Sequence, residues 1–442
     1  MFVNRSELLS DNPTRMYGGI AVSDIDGDGS FELLAAASAG ANRVLKWTGR
    51  EFVDIAEGRL AGSDRDTLGA IAADIDGDGR EELYLLESQG DRLLQYRDRA
   101  WEPMSAIDGI SGCSAVCVDR FGKGRYSILV LDDTRGCLYE LDPWGTLANT
   151  ARAAGLFSLS GLGGIVALPL VSDSMDIFIV RDRGVNTLFR NNGDGTFTDA
   201  TAEAGVDDSE QRGRGVAVLD ADGDGKFDLV CANWDGLHRL FLQGATGHFR
   251  NVAPKDMARS SHVRTVIAAD FDNDGIEELF FHNQGEPNRL FGLRDGAWRQ
   301  LDIGEAWEPD DWGTGAVVGD FDGDGGLELL VARGDGRPRP LSLYRAANIC
   351  PYWLRVLPLT PYGAPARGAI CRLSSGGRWQ IRAIDAGSGY LCQNEPVAHF
   401  GLGDRAGIDR LEVRWPDGTR VTIDSPAPNQ LLRVSHPQAV KG

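Results

Sequence analysis

An acidic nine-residue segment recurs along this 442-residue chain at a regular interval. The intact copies occupy residues 24–32, 74–82, 220–228, 270–278 and 320–328. Their starts lie 50 residues apart, except across a gap long enough for two more units. Degraded copies at 119–127 and 168–176 fill that gap. A fixed period of this length is typical of repeat architectures, and the register predicts seven units.

Each unit has the pattern of four short β-strands. A run rich in Gly, Ala, Val and Ile precedes the acidic segment, an apolar run follows it, and two further runs come after polar turns. Such strands predict propeller blades. Residues 2–5 resemble the fourth strand of a blade and are predicted to complete the seventh blade, which would remove exposed edges. The predicted fold is all-β, a seven-bladed β-propeller over residues 1–347 that is closed by the N-terminal strand.

The acidic segments have the composition of calcium-binding loops. Asp occupies positions 1, 3 and 5, Gly occupies position 6, and Asp or Glu occupies position 9. Alternating acids in a tight loop bring their oxygens to one point, and glycine permits the left-handed turn that this requires. Gathered carboxylates need a hard cation, and Ca²⁺ accepts about six to eight oxygens in flexible geometry, whereas Mg²⁺ demands a tighter octahedron. About five Ca²⁺ ions are therefore expected, and chelation should lower stability.

The predicted ligands are the acids of each loop and the carbonyl of position 7. They are Asp24, Asp26, Asp28, Ser30, Glu32, Asp74, Asp76, Asp78, Arg80, Glu82, Asp220, Asp222, Asp224, Lys226, Asp228, Asp270, Asp272, Asp274, Ile276, Glu278, Asp320, Asp322, Asp324, Gly326 and Glu328. An EF-hand begins with the same spacing, but it requires Glu at position 12, where Ala35 and Leu85 stand, and flanking helices.

The two degraded units are predicted to hold no metal. In unit three, Phe121 and Lys123 stand where carboxylates are needed, and the Lys123 ammonium could replace the charge of the cation. Unit four keeps little beyond its last acid, Asp176. The propeller is therefore expected to bind calcium in five of its seven blades.

Composition and charge restrict the partners. A net charge of −20 argues against nucleic acid and anionic membranes as partners. No stretch approaches the ~20 apolar residues that span a bilayer, so membrane insertion is not expected. The first residues show no signal peptide, which predicts a cytoplasmic protein, or a secreted one if an export segment was removed. The seven cysteines predict free buried thiols, with Cys371–Cys392 as the pair to test for a bridge.

Residues 348–442 lack the acidic segment and are predicted to form a second, small β domain. Short apolar runs such as 352–356 and 410–415 alternate with turn signals such as Ser375-Gly-Gly, which predicts a β-sandwich or barrel. His399 and Trp415 could form a sugar platform, although a packing role is favoured. The domain is expected to cap or brace the propeller.

The repeats resemble FG-GAP/VCBS repeats, the calcium-loop propeller repeats also found in integrin α-chains, and residues 186–205 match the VCBS pattern closely. The C-terminal region resembles the ASPIC/UnbV domain at residues 387–393, 399–403 and 413–418 and at Asn429-Gln430. Together they resemble the architecture of the cartilage acidic protein family. This resemblance implies a calcium-binding, adhesion-like protein of a kind that is commonly exported. The missing export signal and the two degraded loops are departures from the pattern.

A ligand site is predicted in the funnel on the face opposite the calcium loops, where turns from several blades converge. The candidate ligand-binding residues are Tyr17, Arg212, Arg214, Trp234, Arg264 and Trp312. His262 with Asp310 or Asp311 is the candidate acid–base pair.

Two functions fit these residues. The first is a calcium-binding propeller that recognises a protein, glycan or small molecule at the funnel. The alternative is a propeller enzyme, such as a lyase, hydrolase or cyclase of secondary metabolism. Whether the chain is an enzyme stays open at this point.

Overall fold

The computed structural model describes residues 1–105, 107, 109–310, 312–387 and 389–440. β-Strands dominate these residues, which confirms the all-β class. The helical segments are short: α1 (Gly58–Ala61), α2 (Thr201–Ala204), α3 (Lys255–Ala258), and 3₁₀ turns at Ser6–Leu8 and Glu305–Trp307. Within the described residues no helix is long and apolar enough to cross a membrane.

The first three repeat units each form a four-stranded antiparallel sheet whose strands pair in chain order. Unit one contains β2 (Tyr17–Ser23), β3 (Glu32–Ala37), β4 (Arg43–Trp47) and β5 (Phe52–Asp54). Unit two contains β6 (Thr67–Ala73), β7 (Glu82–Glu87), β8 (Arg92–Arg97) and β9 (Ala100–Ser105). Unit three contains β10 (Ser114–Val118), β11 (Ser127–Leu131), β12 (Gly136–Leu141) and β13 (Leu147–Asn149).

The next three units keep the same order. Unit four contains β14 (Ile165–Leu168), β15 (Asp176–Ile179), β16 (Thr187–Asn191) and β17 (Phe197–Asp199). Unit five contains β18 (Gly213–Leu219), β19 (Asp228–Gly236), β20 (Arg239–Gln243) and β21 (Phe249–Asn251). Unit six contains β22 (Ser261–Ala269), β23 (Glu278–Asn283), β24 (Arg289–Arg294) and β25 (Ala297–Leu301). A parallel bridge at Trp234 joins β19 to β22.

The last repeat unit takes its outer strand from the N-terminus. It contains β26 (Gly313–Gly319), β27 (Glu328–Arg333) and β28 (Ser342–Ala346), and β1 (Phe2–Asn4) pairs antiparallel with β28. The first strand of each unit contacts the first strand of the next unit, and β26 of the last unit contacts β2 of the first. A buried apolar cluster joins units one and seven, with Val22 and Leu45 among the residues from one side and Val317 and Leu330 from the other.

The C-terminal region, here called the tail, is made of two sheets around a shared core. One sheet contains β29 (Tyr352–Pro358), β32 (Ala398–Gly403) and β35 (Leu431–Val434), and the other contains β30 (Ile370–Ser375), β31 (Arg378–Ala383), β33 (Arg410–Arg414) and β34 (Arg420–Asp424). Leu354, Phe400, Leu411 and Trp415 are buried between them. Cys371 belongs to this core, whereas Cys392 packs against units one and seven. All seven cysteines are free thiols.

A segment of the tail, residues 385–395 without Ser388, which lies outside the described residues, passes among the first strands of the repeat units. We call it the inserted segment. Three of its backbone N–H groups donate to first strands: Gln393 to the Ile20 carbonyl, Gly389 to the Val216 carbonyl and Ala386 to the Ala167 carbonyl. Side chains add further contacts, since Tyr390 N–H donates to Thr265 Oγ1 at 3.1 Å. The tail therefore contacts the first strands of several repeat units directly.

Candidate metal centres and the Trp234 cluster

The five intact loops share one hydrogen-bonding pattern. The N–H of the position-6 glycine donates to the carboxylate of position 1, as Gly29 does to Asp24 at 3.0 Å. The position-9 acid accepts from the N–H of position 2, as Glu32 does from Ile25 at 2.8 Å. The same pairs recur in the other four loops at 2.8–3.2 Å. The position-6 glycines have φ between 81° and 92°, a left-handed conformation that side chains disfavour.

This pattern gathers carboxylate oxygens in every intact loop. In each loop three acids offer oxygens within 4.8 Å of one another, a spacing that could hold a metal ion. The groups are Asp24, Asp26 and Glu32; Asp74, Asp76 and Asp78; Asp220, Asp222 and Asp228; Asp270, Asp272 and Glu278; and Asp320, Asp322 and Glu328. The remaining predicted acids flank these groups. Each position-7 residue (Ser30, Arg80, Lys226, Ile276, Gly326) donates its N–H to the position-5 Asp.

Buried oxygens that accept no hydrogen bond test whether these groups suit a cation. Asp24 Oδ1, Glu32 Oε1, Asp270 Oδ1 and Glu328 Oε1 are such atoms among the described residues. A buried carboxylate oxygen without a partner is costly, and a bound cation would remove that cost. The donor set is all oxygen, which suits a hard divalent ion rather than a soft transition metal.

The metal-free loops hold strongly perturbed carboxyl groups. Burial and the neighbouring aspartates raise the pKa of Glu82 and of Glu278 to about 9. Burial likewise raises the pKa of Asp74, Asp228 and Asp270 to about 7. Burial is the largest cause of each shift, so without a bound cation the ionised form of these carboxyl groups is disfavoured.

Basic side chains of the third strand contact three of the loops. Lys46 donates to Asp26 and, at 2.6 Å, to Asp28. Arg294 lies 2.9 Å from Glu278, and Arg345 lies 2.6 Å from Asp324. We number each loop by its repeat unit, so that residues 220–228 are loop five. There the neighbouring base is Lys226 of the loop itself, which bonds Asp224. These lysine and arginine side chains offset part of the acidic charge of four loops.

The degraded loops satisfy their remaining acids internally. Asp119 in unit three accepts N–H bonds from Lys123 at 2.9 Å and from Gly124 at 2.5 Å. The Lys123 backbone, rather than its ammonium, therefore bonds this acid, and the ammonium lies 5.5 Å from the centre of the Phe121 ring. Asp176 in unit four accepts four backbone N–H bonds, from residues 170, 171, 172 and 191, and one bond from the Ser172 hydroxyl.

The tail docks on the acidic loops. Asp270 Oδ2 accepts N–H bonds from Gly275 in its own loop and from Gly401 in the tail, both at 2.9 Å. Arg355 donates to Asp320 Oδ2 at 3.0 Å, and the two side chains are 4% and 0% exposed. Trp353 covers Gly325 so closely that an added Cβ would lie 1.9 Å from its ring. His399 and Trp415 are buried and bond Asn273 and the Leu359 carbonyl, so both serve packing.

Sequence reasoning missed the acids at position 8 of two loops. Glu81 accepts a hydrogen bond of 3.0 Å from Nε of Arg367. Arg367 belongs to the tail, and its side chain is fully buried where it meets loop two. Glu277 lies 3.4 Å from Arg382, also of the tail. The signal is a doublet of adjacent acids, Glu81-Glu82 and Glu277-Glu278, where the other intact loops have Phe or Leu before position 9.

A second group of side chains, here called the Trp234 cluster, brings together several predicted ligand-binding residues. Its members are Arg214, Trp234, His262, Arg264 and Tyr390. Arg264 lies over the Trp234 ring at 4.8 Å, and the His262 ring packs on the same indole at 4.9 Å. Arg214 lies 5.7 Å from the ring of Tyr390, which the inserted segment supplies. Burial lowers the pKa of Arg264.

The cluster has its own acids. Asp182 pairs with Arg212 at 3.0 Å and with Arg214 at 3.5 Å, and Asp335 pairs with Arg264. The Nε of Arg214 is buried and has no hydrogen-bond partner among the described residues. The cluster therefore retains one unused guanidinium donor beside an aromatic surface.

The other predicted funnel residues lie in different surroundings. His262 Nδ1 is 3.0 Å from Glu286 Oε1, so its acidic neighbour is Glu286. Asp310 is exposed, and Asp311 lies outside the described residues. Tyr17 is buried, and its hydroxyl donates to the Pro13 carbonyl at 3.2 Å. Trp312 bears Arg337 over its ring at 5.6 Å.

The sheets and their acidic loops define the class of protein, a chain of FG-GAP repeats with an ASPIC/UnbV domain. A family described as "FG-GAP-like repeat" matches residues 24–85, 173–231 and 220–281, and "ASPIC and UnbV" matches residues 361–441. The chain is 41% identical over 484 residues to cartilage acidic protein 1 of Mus musculus, covering 97% of this chain and 75% of that protein. The Homo sapiens protein is also 41% identical, with coverage of 97% and 73%. The chain belongs to the cartilage acidic protein 1 family.

Solved structures support the fold at low identity. The BP39L lectin from Burkholderia pseudomallei is 14% identical, aligns with 76% of this chain and 97% of its own, and gives a TM-score of 0.51. This similarity concerns the fold alone.

Proposed function

We propose that the chain is a calcium-binding β-propeller of seven blades, and that each of its five intact loops binds one Ca²⁺. The observation that carries the proposal is the recurrence of one oxygen-lined group in all five loops. In the loops of units one, six and seven it includes buried carboxylate oxygens that accept no hydrogen bond. The position-7 carbonyls of Ser30, Arg80, Lys226, Ile276 and Gly326, together with water, would complete the shells. Units three and four are proposed to hold no metal, because Asp119 and Asp176 are already satisfied by hydrogen bonds.

The proposal of a closed ring rests on the pairing of the chain ends. β1 supplies the outer strand of the last unit, and β26 contacts β2 of the first. Closure of this kind leaves each sheet covered by a neighbour on both faces. We take residues 1–347 as the propeller and residues 348–442 as the tail domain.

We further propose that the propeller recognises a ligand carrying an acidic group at the Trp234 cluster, on the face away from the loops. Arg214 and Arg264 can hold a carboxylate by charge-assisted hydrogen bonds that replace their present pairs with Asp182 and Asp335. Trp234 offers an apolar face beside them, which suits a sugar ring or an aliphatic chain. Because the inserted segment lies among the first strands, the ligand would rest at the mouth of the funnel rather than enter it.

Binding of acidic and neutral probes tests this site. Full-length protein in Ca²⁺ would be applied to an array that pairs uronic-acid glycans with their neutral counterparts and acidic peptides with their amidated forms. We expect selective binding of acidic probes, at least tenfold weaker in Arg264→Gln and in Trp234→Ala. Arg372→Gln, which breaks an exposed pair with Glu412 in the tail, is the matched control. Equal binding of acidic and neutral probes, or unchanged binding by both site variants, would overturn the proposal.

The enzyme alternative has one supporting observation, the His262–Glu286 pair. Both side chains are partly exposed, and an imidazole held by a carboxylate can transfer protons. If a probe identified on the array is chemically changed by the protein, His262→Ala should abolish turnover while leaving calcium binding intact. Turnover that survives this substitution would remove His262 from the reaction.

The exported alternative for the compartment suits the calcium proposal. Calcium modules outside cells work at roughly 10⁻⁴–10⁻³ M Ca²⁺, concentrations at which weak loops stay filled. We therefore favour an extracellular or periplasmic setting for the working protein. Fractionation of cells producing the full-length natural gene product tests this, and recovery from the cytoplasm alone would contradict it.

A further inference from the structure

We propose that calcium binding at units two, six and seven is coupled to docking of the tail, so that each stabilises the other. This inference rests on the calcium binding proposed above and adds a role for particular loops. The tail bonds loops two, six and seven through buried charged side chains, and among the described residues it makes no such bond to loop five.

The coupling is built into two neighbouring positions. In loops two and six the strand begins at position 9, whose carboxylate belongs to the loop, while the side chain of the preceding residue, position 8, pairs with an arginine of the tail. In loop two, Glu82 accepts the N–H of Ile75 while the adjacent Glu81 accepts from Arg367. A metal that fixes Glu82 therefore also fixes the backbone that presents Glu81.

Loop six has the most extensive link. Glu277 pairs with Arg382, and Asp270 of the acidic group accepts the N–H of Gly401 from β32. Arg378 of the tail donates to the Gly275 carbonyl at 2.9 Å. Asn273 donates to the Gly325 carbonyl at 2.9 Å, which ties loop six to loop seven.

Loop seven is linked through the acidic group itself. Asp320 Oδ2 accepts from Arg355, which also pairs with Glu395 of the inserted segment. Removing a cation from this loop leaves Asp320, Asp322 and Glu328 mutually repelling beside a single tail guanidinium. Docking of the tail is then expected to weaken, because repulsion among these carboxylates would destabilise the loop that the tail contacts.

Loop five provides a comparison within the chain. Its acids form an equivalent group, but position 8 is Phe227, which packs in one buried apolar cluster with Ile370 and Ile381 of the tail. Loop five therefore meets the tail through apolar side chains, and among the described residues no hydrogen bond or ion pair joins residues 220–228 to the tail. Calcium at this loop should stabilise unit five and affect the tail less than calcium at loop six does, because the apolar contact of Phe227 does not depend on the charge of the loop. Comparing the loss of calcium from loop five with its loss from loop six therefore separates coupling to the tail from the general stabilisation of the repeats by calcium.

The test compares Asp272→Asn in loop six with Asp222→Asn in loop five, both at position 3 and neither with a side-chain bond to the tail. Each full-length variant is expected to bind one Ca²⁺ fewer. Hydrogen exchange of the tail strands β30 and β33, measured in Ca²⁺, should become at least about tenfold faster in Asp272→Asn and change much less in Asp222→Asn, whose loop meets the tail only through the apolar contact of Phe227 among the described residues. Wild-type protein in EGTA, which also loses the ions of loops two and seven, should exchange its tail at least as fast as Asp272→Asn does in Ca²⁺.

The reciprocal effect supplies a second readout, because coupling between two sites is symmetric in free energy. Arg382→Gln should weaken binding at one calcium site by at least about fivefold, whereas Arg372→Gln should not. Tail exchange that is equal in the two loop variants, or unchanged in both while each has lost its ion, would overturn the coupling and leave the calcium proposal standing. Wild-type protein that binds no Ca²⁺ would instead overturn the calcium proposal, and the coupling with it.

Discussion

Gln393 Oε1 accepts a hydrogen bond of 2.7 Å from the backbone N–H of Ala72, a residue 321 positions earlier in the chain. Its amide returns a bond of 3.1 Å to the Ala72 carbonyl, so the pair resembles a rung of a β-ladder made by a side chain. Gln393 is fully buried. The tail thus completes hydrogen bonding of a first strand of the repeats.

Gln393→Ala is expected to destabilise the protein by about 3 kcal/mol, because it leaves both polar groups of Ala72 buried without their partner. Urea unfolding in saturating Ca²⁺ measures the change. Gln430→Ala is the control, since the Gln430 amide makes a solvent-exposed bond to the nearby Ala427 carbonyl, which keeps its access to water when the amide is removed. Equal midpoints for the two variants would show that the inserted segment contributes little.

Gly19→Ala is expected to displace the inserted segment. A Cβ at Gly19 would lie 1.8 Å from the Leu391 carbonyl oxygen, and backbone on both sides leaves little room to adjust. Gly407→Ala is the control, because nothing lies within 4 Å of a Cβ there. We expect faster proteolysis of residues 385–395 only in Gly19→Ala, and an identical digestion pattern for both proteins would argue against close packing of this segment.

Lys46→Met is expected to tighten calcium binding at loop one by about tenfold. The Lys46 ammonium lies against Asp26 and Asp28, so it repels an incoming cation and competes for its ligands. Calorimetric titration of metal-stripped protein measures the affinity, with Lys255→Met as an exposed control. Affinity that falls or stays the same would mean that Lys46 does not oppose the ion.

The stability of the metal-free protein should fall as pH rises from about 6.5 to 9. The carboxyl groups of Glu82 and Glu278 have a pKa of about 9 in the fold, against roughly 4 when unfolded, so their protonated form favours folding. That contribution is complete below the unfolded pKa and is lost as pH passes through the folded value. Saturating Ca²⁺ should abolish the decline, because the bound ion favours the ionised carboxylates. Melting curves of resin-stripped protein with and without Ca²⁺ provide the measurement, and a metal-free melting temperature that rises over this range would contradict the account.

The loops could be predicted from the sequence because their geometry is local. Asp at alternate positions with Gly at position 6 fixes the turn, and the structure gathers acids in each of the five loops that carry this pattern. Docking of the tail depends on contacts between distant residues, such as Arg367 with Glu81, and no local pattern specifies such a partner. The His262–Glu286 pair was missed for the same reason.

A glycine that recurs in the first strands is a sequence feature related to the inserted segment. Gly19, Gly69 and Gly315 recur at the same position of their units, and a side chain at any of them would collide with residues 391–392. A repeated glycine inside a strand signals the close approach of another backbone. From the sequence alone, these glycines indicate only the run rich in Gly, Ala, Val and Ile that precedes each acidic segment.

The calcium content of the full-length protein tests the central claim most directly. Protein equilibrated with Ca²⁺ and then freed of excess ion would be analysed by elemental mass spectrometry, and its melting followed with and without EGTA. The account predicts about five Ca²⁺ per chain and a melting temperature that falls on chelation, in line with five oxygen-lined groups. Protein that retains no calcium and melts identically in EGTA would contradict it.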